Sequence, residues 1–115
     1  MNDLEIADRY LRKAQQSKDQ GHIFDLSFSD FARIMRKKTC VYTGIEMTTK
    51  LAGKTIRATD RTLERIDNSI GYTKSNTIAV CHYANKLKSH LENPGNEFTA
   101  QHISKMMKKV IENKK

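Results

Sequence analysis

Thr62-Leu63-Glu64-Arg65-Ile66-Asp67-Asn68-Ser69-Ile70-Gly71-Tyr72, running on to Asn76-Thr77-Ile78-Ala79-Val80-Cys81-His82-Tyr83-Ala84-Asn85-Lys86-Leu87-Lys88, is the stretch on which the fold turns. Thr62 to Ile66 alternates polar and apolar side chains with the period of two that a half-buried strand needs. Asp67 to Gly71 is turn chemistry, because Asp, Asn, Ser and Gly satisfy or bend the backbone locally. Thr77 to Val80 predicts a second strand. A helix then runs from about Cys81 to Leu91, and Asn93-Pro94-Gly95 stops it. The unit is strand, turn, strand, helix. It can seat one divalent cation between its first strand and its helix, and offer the helix to a phosphate backbone.

The flanks predict helices. Leu4, Ala7, Leu11 and Ala14 recur at helical spacing, with Ile6 and Tyr10 alongside, over about Asp3 to Lys18. Gly21 ends that helix, and Ile23 to Leu26 suits an extended piece. Ser27 or Ser29 caps a second helix whose Phe31, Ile34 and Met35 face the core. Cys40-Val41-Tyr42-Thr43-Gly44 reads as a strand entering a turn, with Tyr42 in the core. Residues 48–61 read as a polar loop. Tyr72 is expected to pack on the hairpin. Thr99 caps a last helix with Ile103, Met106 or Met107, and Val110 as its buried stripe. The expected class is α+β, in one domain over residues 1–115. It comprises a helical part (1–38), a core (39–91) and a C-terminal helix (98–113).

The 115 residues carry 21 Lys+Arg against 13 Asp+Glu, a formal net charge of +8. Residues 1–57 hold 11 basic and 7 acidic side chains, and 58–115 hold 10 and 6, so each half is +4. Charge spread this way over a compact chain suits nucleic acid. Asp3, Glu5 and Asp8 fall where an apolar signal core would begin, and no apolar run approaches membrane-spanning length. The expectation is a cytoplasmic protein without a membrane partner, its cysteines Cys40 and Cys81 reduced.

The sequence resembles the HNH endonucleases, the His-Me finger family with a ββα-metal core. That family's helix reads N-L-x-x-L-C-x-x-C-H-x-x-K, and Asn76, Val80, Cys81 and Lys88 fall in register with it. A closer pattern belongs to small phage and bacterial HNH-like proteins: C-x-x-T-G, then L-D-R-I-D-N-S-x-G-Y, then N and N-x-x-K. Cys40 to Gly44, Leu63 to Tyr72, Asn76, and Asn85 to Lys88 match it in order. The resemblance covers residues 10–112 or so. It implies an HNH-like ββα-metal core, flanked by two N-terminal helices and one C-terminal helix. It also implies a metal-dependent endonuclease that hydrolyses phosphodiester bonds in DNA rather than RNA with one Mg²⁺ or Mn²⁺. Glu64, Asp67 and Asn85 are the implied metal ligands. Glu64, Arg65, Asp67, Asn76 and Asn85 are the implied catalytic set, with Asn76 positioning the loop. Arg65, Lys86 and Lys88 are expected at phosphates. If the chain is bacteriophage-encoded, its compartment is the host cytoplasm.

Two departures matter. Glu64-Arg65 stands where the family has Asp-His. Arg65 cannot be the general base, because its guanidinium stays protonated. Asp67 or His82 is then the substitute base, or the reaction runs slowly without one. Otherwise the chain is a degenerate HNH-fold regulator that binds nucleic acid or a protein partner without cutting. The second departure is that Thr43 and Ala84 replace the second cysteine of each C-x-x-C knuckle. Cys40 and Cys81 alone cannot close a structural zinc site, which needs four ligands. They are read as small buried residues near each other. His22, His90 and His102 are read as surface or cap residues.

Overall fold

The computed structural model describes residues 1–93, 95 and 97–114. Among these residues the chain is mixed α+β, with four helices and small sheets. It divides into two compact units, Met1–Asn85 and Lys86–Lys115. Among the described residues no helix is long and apolar enough to cross a membrane.

In the first unit, α1 spans Asp3–Asp19, and the Asn2 side chain caps it by accepting from the Glu5 amide at 2.8 Å. Its buried face is not the expected one. Leu4 and Leu11 are 79% and 70% exposed, whereas Ile6 and Ser17 are buried. Ile6, Tyr10, Lys13 and Ser17 make a stripe of their own at helical spacing, and tertiary contact selects it. The Tyr10 ring packs among Phe24, Phe28 and Phe31, with centroids 5.3–5.7 Å apart. Its hydroxyl donates to the Leu26 carbonyl.

The short strand β1 (Phe24–Asp25) leads into α2 (Phe28–Met35), capped by Ser27. Phe31, Ala32, Ile34 and Met35 are buried. Strand β2 (Arg61–Arg65) pairs antiparallel with β4 (Thr77–Cys81), in the register Thr62 to Val80 and Glu64 to Ile78. Between them lies β3 (Tyr72–Thr73), which pairs in parallel with β1. The core gathers Ile6, Leu26, Phe31, Ile34, Met35, Cys40, Met47, Tyr72, Val80 and Ala84. Gly71 sits against Ile23 so closely that a Cβ there would lie 2.5 Å from the Ile23 carbonyl oxygen. Only glycine allows β3 to approach β1 in this way.

Residues 40–44 form a turn rather than a strand. The Gly44 amide donates to the Cys40 carbonyl at 2.8 Å, and Gly44 takes φ +74°. Tyr42 is 41% exposed, so it is not a core residue. Its neighbours Cys40 and Cys81 are the buried ones. The segment 48–61 is irregular but anchored: Thr48 bridges to Asp60, and the Arg61 amide donates to the Thr48 carbonyl at 2.8 Å.

Helix α3 (His82–Leu91) follows β4 directly and continues into the second unit. Pro94, expected to help end it, lies outside the described residues. In the second unit α4 (Ala100–Asn113) begins at a capping box between Thr99 and His102. None of its described residues is buried, so the expected stripe is not part of a core. Met106, Met107 and Val110 stand exposed.

Candidate functional site

Strand alternation sorts the side chains of β2 onto two faces. Thr62 and Glu64 share one. The Thr62 hydroxyl donates to the Val80 carbonyl at 2.9 Å and accepts from the Asn85 side-chain amide at 3.2 Å. This face therefore looks toward α3, and Glu64 on it is buried. With its Nδ2 committed to Thr62, Asn85 has its Oδ1 as the acceptor on the other branch of the amide.

Arg61, Leu63 and Arg65 share the opposite face. Arg61 donates to the Lys37 carbonyl at 2.8 and 3.0 Å and to Thr49 Oγ1 at 3.1 Å. Burial, then the charge of Arg9, pushes the Arg61 pKa down. Leu63 packs against the core. Arg65 lies over the Tyr72 ring, 5.3 Å from its centroid. Its Nη1 donates to the Asn68 carbonyl at 3.0 Å and lies 3.4 Å from His22 Nδ1. Glu64 and Arg65, neighbours in sequence, thus belong to different surroundings.

Asn76 is buried and stitches the turn. Its Oδ1 accepts from the Asp67 amide at 2.9 Å, and its Nδ2 donates to the carbonyls of Asp67 and Gly71 at 3.0 Å each. Asp67 lies beyond the end of β2. Its carboxylate accepts from the Ser69 amide at 2.9 Å and the Ser69 hydroxyl at 2.6 Å. That is an Asx-turn, which explains the residue by the shape of the hairpin. The His82 amide donates to the Asp60 carbonyl at 2.8 Å. Lys88 pairs with Glu92 at 3.0 Å, and Lys86 is exposed. Both lysines belong to the second unit.

Two features were not anticipated from the sequence. The first is Asp60, wholly buried inside a segment read as polar loop. Burial alone pushes its carboxyl up. The Arg57 amide at 2.8 Å, the Thr48 hydroxyl at 2.7 Å and the Arg57 guanidinium outweigh that and hold its pKa at about 2. The only advance signal was Arg57 and Asp60 at a spacing of three. The second is His22, which 43 residues of separation bring against Arg65; no local pattern announces that contact.

Residues 40–44 form their turn with Thr43 in the position where the family pattern has its second cysteine. Burial pushes the Cys40 thiol up, but hydrogen bonds from the Thr43 hydroxyl and from the backbone of Cys81, Thr43 and Tyr42 bring it down to about 7. Among the described residues no group of three or more His, Cys, Asp or Glu side chains is placed to hold a metal. What the Glu64 face offers is one carboxylate and one amide oxygen. That donor set fits a hard, largely hydrated cation, which takes few protein oxygens and keeps its own water. It does not fit a closed zinc cage.

No family model matches the chain. An uncharacterized 29.0 kDa protein of Enterobacteria phage T4, from the dda-modA intergenic region, is 33% identical over 89 residues. The match takes in 76% of this chain but 34% of that protein, so the chain spans about a third of the length of its curated relative. Among solved structures, the rare-cutting HNH restriction endonuclease PacI superposes with a TM-score of 0.56 over 95% of this chain and 76% of its own. Identity is 19%, so the likeness is one of fold.

Proposed function

We propose that this chain is a DNA endonuclease of the HNH type, with residues 1–115 as one functional domain. Its β2, β4 and α3 would serve as the ββα-metal core. The observation that carries the reading is the shared face of Thr62, Glu64 and Asn85, on a fold similar to that of an HNH endonuclease. Glu64 and Asn85 would hold one Mg²⁺ or Mn²⁺. When bound, that ion supplies charge neutralisation at a scissile phosphate and at the leaving oxygen. Thr62 orients Asn85, and Asn76 keeps the turn and the end of β2 in place. Lys86 and Lys88 would meet the phosphate backbone. The host cytoplasm of a phage is the compartment that suits these parts.

Arg65 favours a second reading. A permanently protonated side chain, held by turn carbonyls, stands where the family keeps its base. Asp67 is occupied by Ser69 and is a poor substitute. On this reading the chain binds nucleic acid and does not cut it. Incubation of supercoiled plasmid with the protein and Mg²⁺ or Mn²⁺ separates the two. Metal-dependent nicking abolished by Glu64→Ala and by Asn85→Ala is the outcome expected of the nuclease. Salt-sensitive binding with no nicking under either metal removes the nuclease and leaves the binder.

A further inference from the structure

We infer that Lys13, His22 and Arg65, gathered round the ring of Tyr72, form a phosphate-binding site, whose occupant is a backbone phosphate of the nucleic acid on the reading given above. The residues come from three parts of the chain: α1, the loop after it, and the end of β2. Tyr72 is buried, and the other three are half-buried. The Lys13 ammonium lies 4.7 Å from the ring centroid and the Arg65 guanidinium carbon 5.3 Å from it. The two cations are therefore within about 10 Å of each other, a screening length at 0.1 M salt. The His22 ring stands edge-on to Tyr72, its centroid 6.4 Å away.

The chemistry of the three groups is one-sided. Ammonium and guanidinium donate and cannot accept. His22 Nδ1, 3.4 Å from Arg65 Nη1, must therefore be the acceptor of that contact, which leaves the neutral ring's hydrogen on Nε2. Folding thus collects two cations and one imidazole N–H on one aromatic support. An anion with several acceptor oxygens can bridge donors gathered in this way. Arg65 is aimed rather than loose, because the Asn68 carbonyl holds its Nη1 at 3.0 Å. The site lies on the face of β2 opposite Glu64 and Asn85. It would grip the backbone beside the group presented to Glu64, not that group itself.

Two titrations of the full chain in EDTA test the site. In the first, inorganic phosphate is added while the His22 imidazole and Tyr72 ring resonances are followed. Saturable shifts are expected in the wild type and not in Lys13→Ala. In the second, a fluorescein-labelled oligonucleotide is bound across a salt series. Lys13→Ala is expected to weaken binding roughly fivefold and to reduce the slope of log affinity against log salt by about one. Lys13→Arg should restore both, and His22→Gln, which keeps a donor, should lose less than His22→Ala. Lys54→Ala, on the exposed loop, should change nothing. Thermal melts confirm that each variant folds. Oligonucleotide binding with wild-type affinity and slope in Lys13→Ala overturns the site while leaving the nucleic-acid reading intact. Phosphate shifts with no oligonucleotide binding keep the site as one for free phosphate and remove the nucleic-acid reading.

Discussion

The Asp60 carboxylate is wholly buried yet ionised, and it ties Thr48 and Arg57 together within residues 48–61. Arg57, its charged partner, is about half exposed, so removing the carboxylate does not strand a buried cation. Asp60→Ala should therefore cost the value of charged hydrogen bonds, about 2–3 kcal/mol, rather than that of a broken buried ion pair. Urea unfolding measures it. The same bonds predict an acid limb. The folded carboxyl titrates near pH 2 and the unfolded one near 3.8, so the folded state binds fewer protons between them. The stabilisation is complete above about pH 4 and drains away as pH falls toward 2. In Asp60→Ala that part of the acid limb should be missing. At this scale the sequence is a poor guide: Asp60 in a polar run looks like any solvated carboxylate, and its partners are defined only once Thr48 comes alongside.

At the scale of elements, β2, β4 and α3 were legible from strand-like runs, the turn residues between them and the stop after the helix, although α3 buries only Ala84 among its described residues. Helix α1 was legible as a helix but not in its facing. A stripe through Leu4 and Leu11 competes with one through Ile6, Tyr10, Lys13 and Ser17, and the choice falls to the aromatic cluster of Phe24, Phe28 and Phe31 around Tyr10. Ile6→Ala should cost about 2–4 kcal/mol by opening the core, whereas Leu11→Ala should change stability by less than about 0.5 kcal/mol. Equal losses in thermal melts of the two variants would reverse this assignment. Helix α4 shows the converse: its period was legible, yet none of its described residues is buried. The candidate site was half readable for the same reason. Glu64, Asn76 and Asn85 came from the family resemblance, while the parting of Glu64 from Arg65 needed the strand's two faces and their neighbours.

The whole molecule holds its knuckle and hairpin together by hydrogen bonds and packing. The Val41 amide donates to the Ala79 carbonyl at 3.1 Å, and Cys40 and Cys81 are buried beside it. A structural zinc commonly supplies about 10 kcal/mol or more of folding free energy, so its removal is conspicuous. Here the melting temperature should be the same before and after exhaustive chelation, as calorimetry can check. A collapse on chelation would mean that Cys40 and Cys81 recruit further ligands. Long-range closure shapes the architecture, and the parallel pairing of Phe24–Asp25 with Tyr72–Thr73 is its clearest instance. On the ribosome, Lys13 and His22 are made before the ring that supports them, which belongs to a residue added fifty or more positions later. A nascent chain released just before Tyr72 would carry Lys13, His22 and Arg65 with no platform to arrange them. Capacity to grip phosphate would then arrive late in synthesis and all at once, making oligonucleotide binding a sensitive report of whether a truncated or slowly translated chain has closed its long loop.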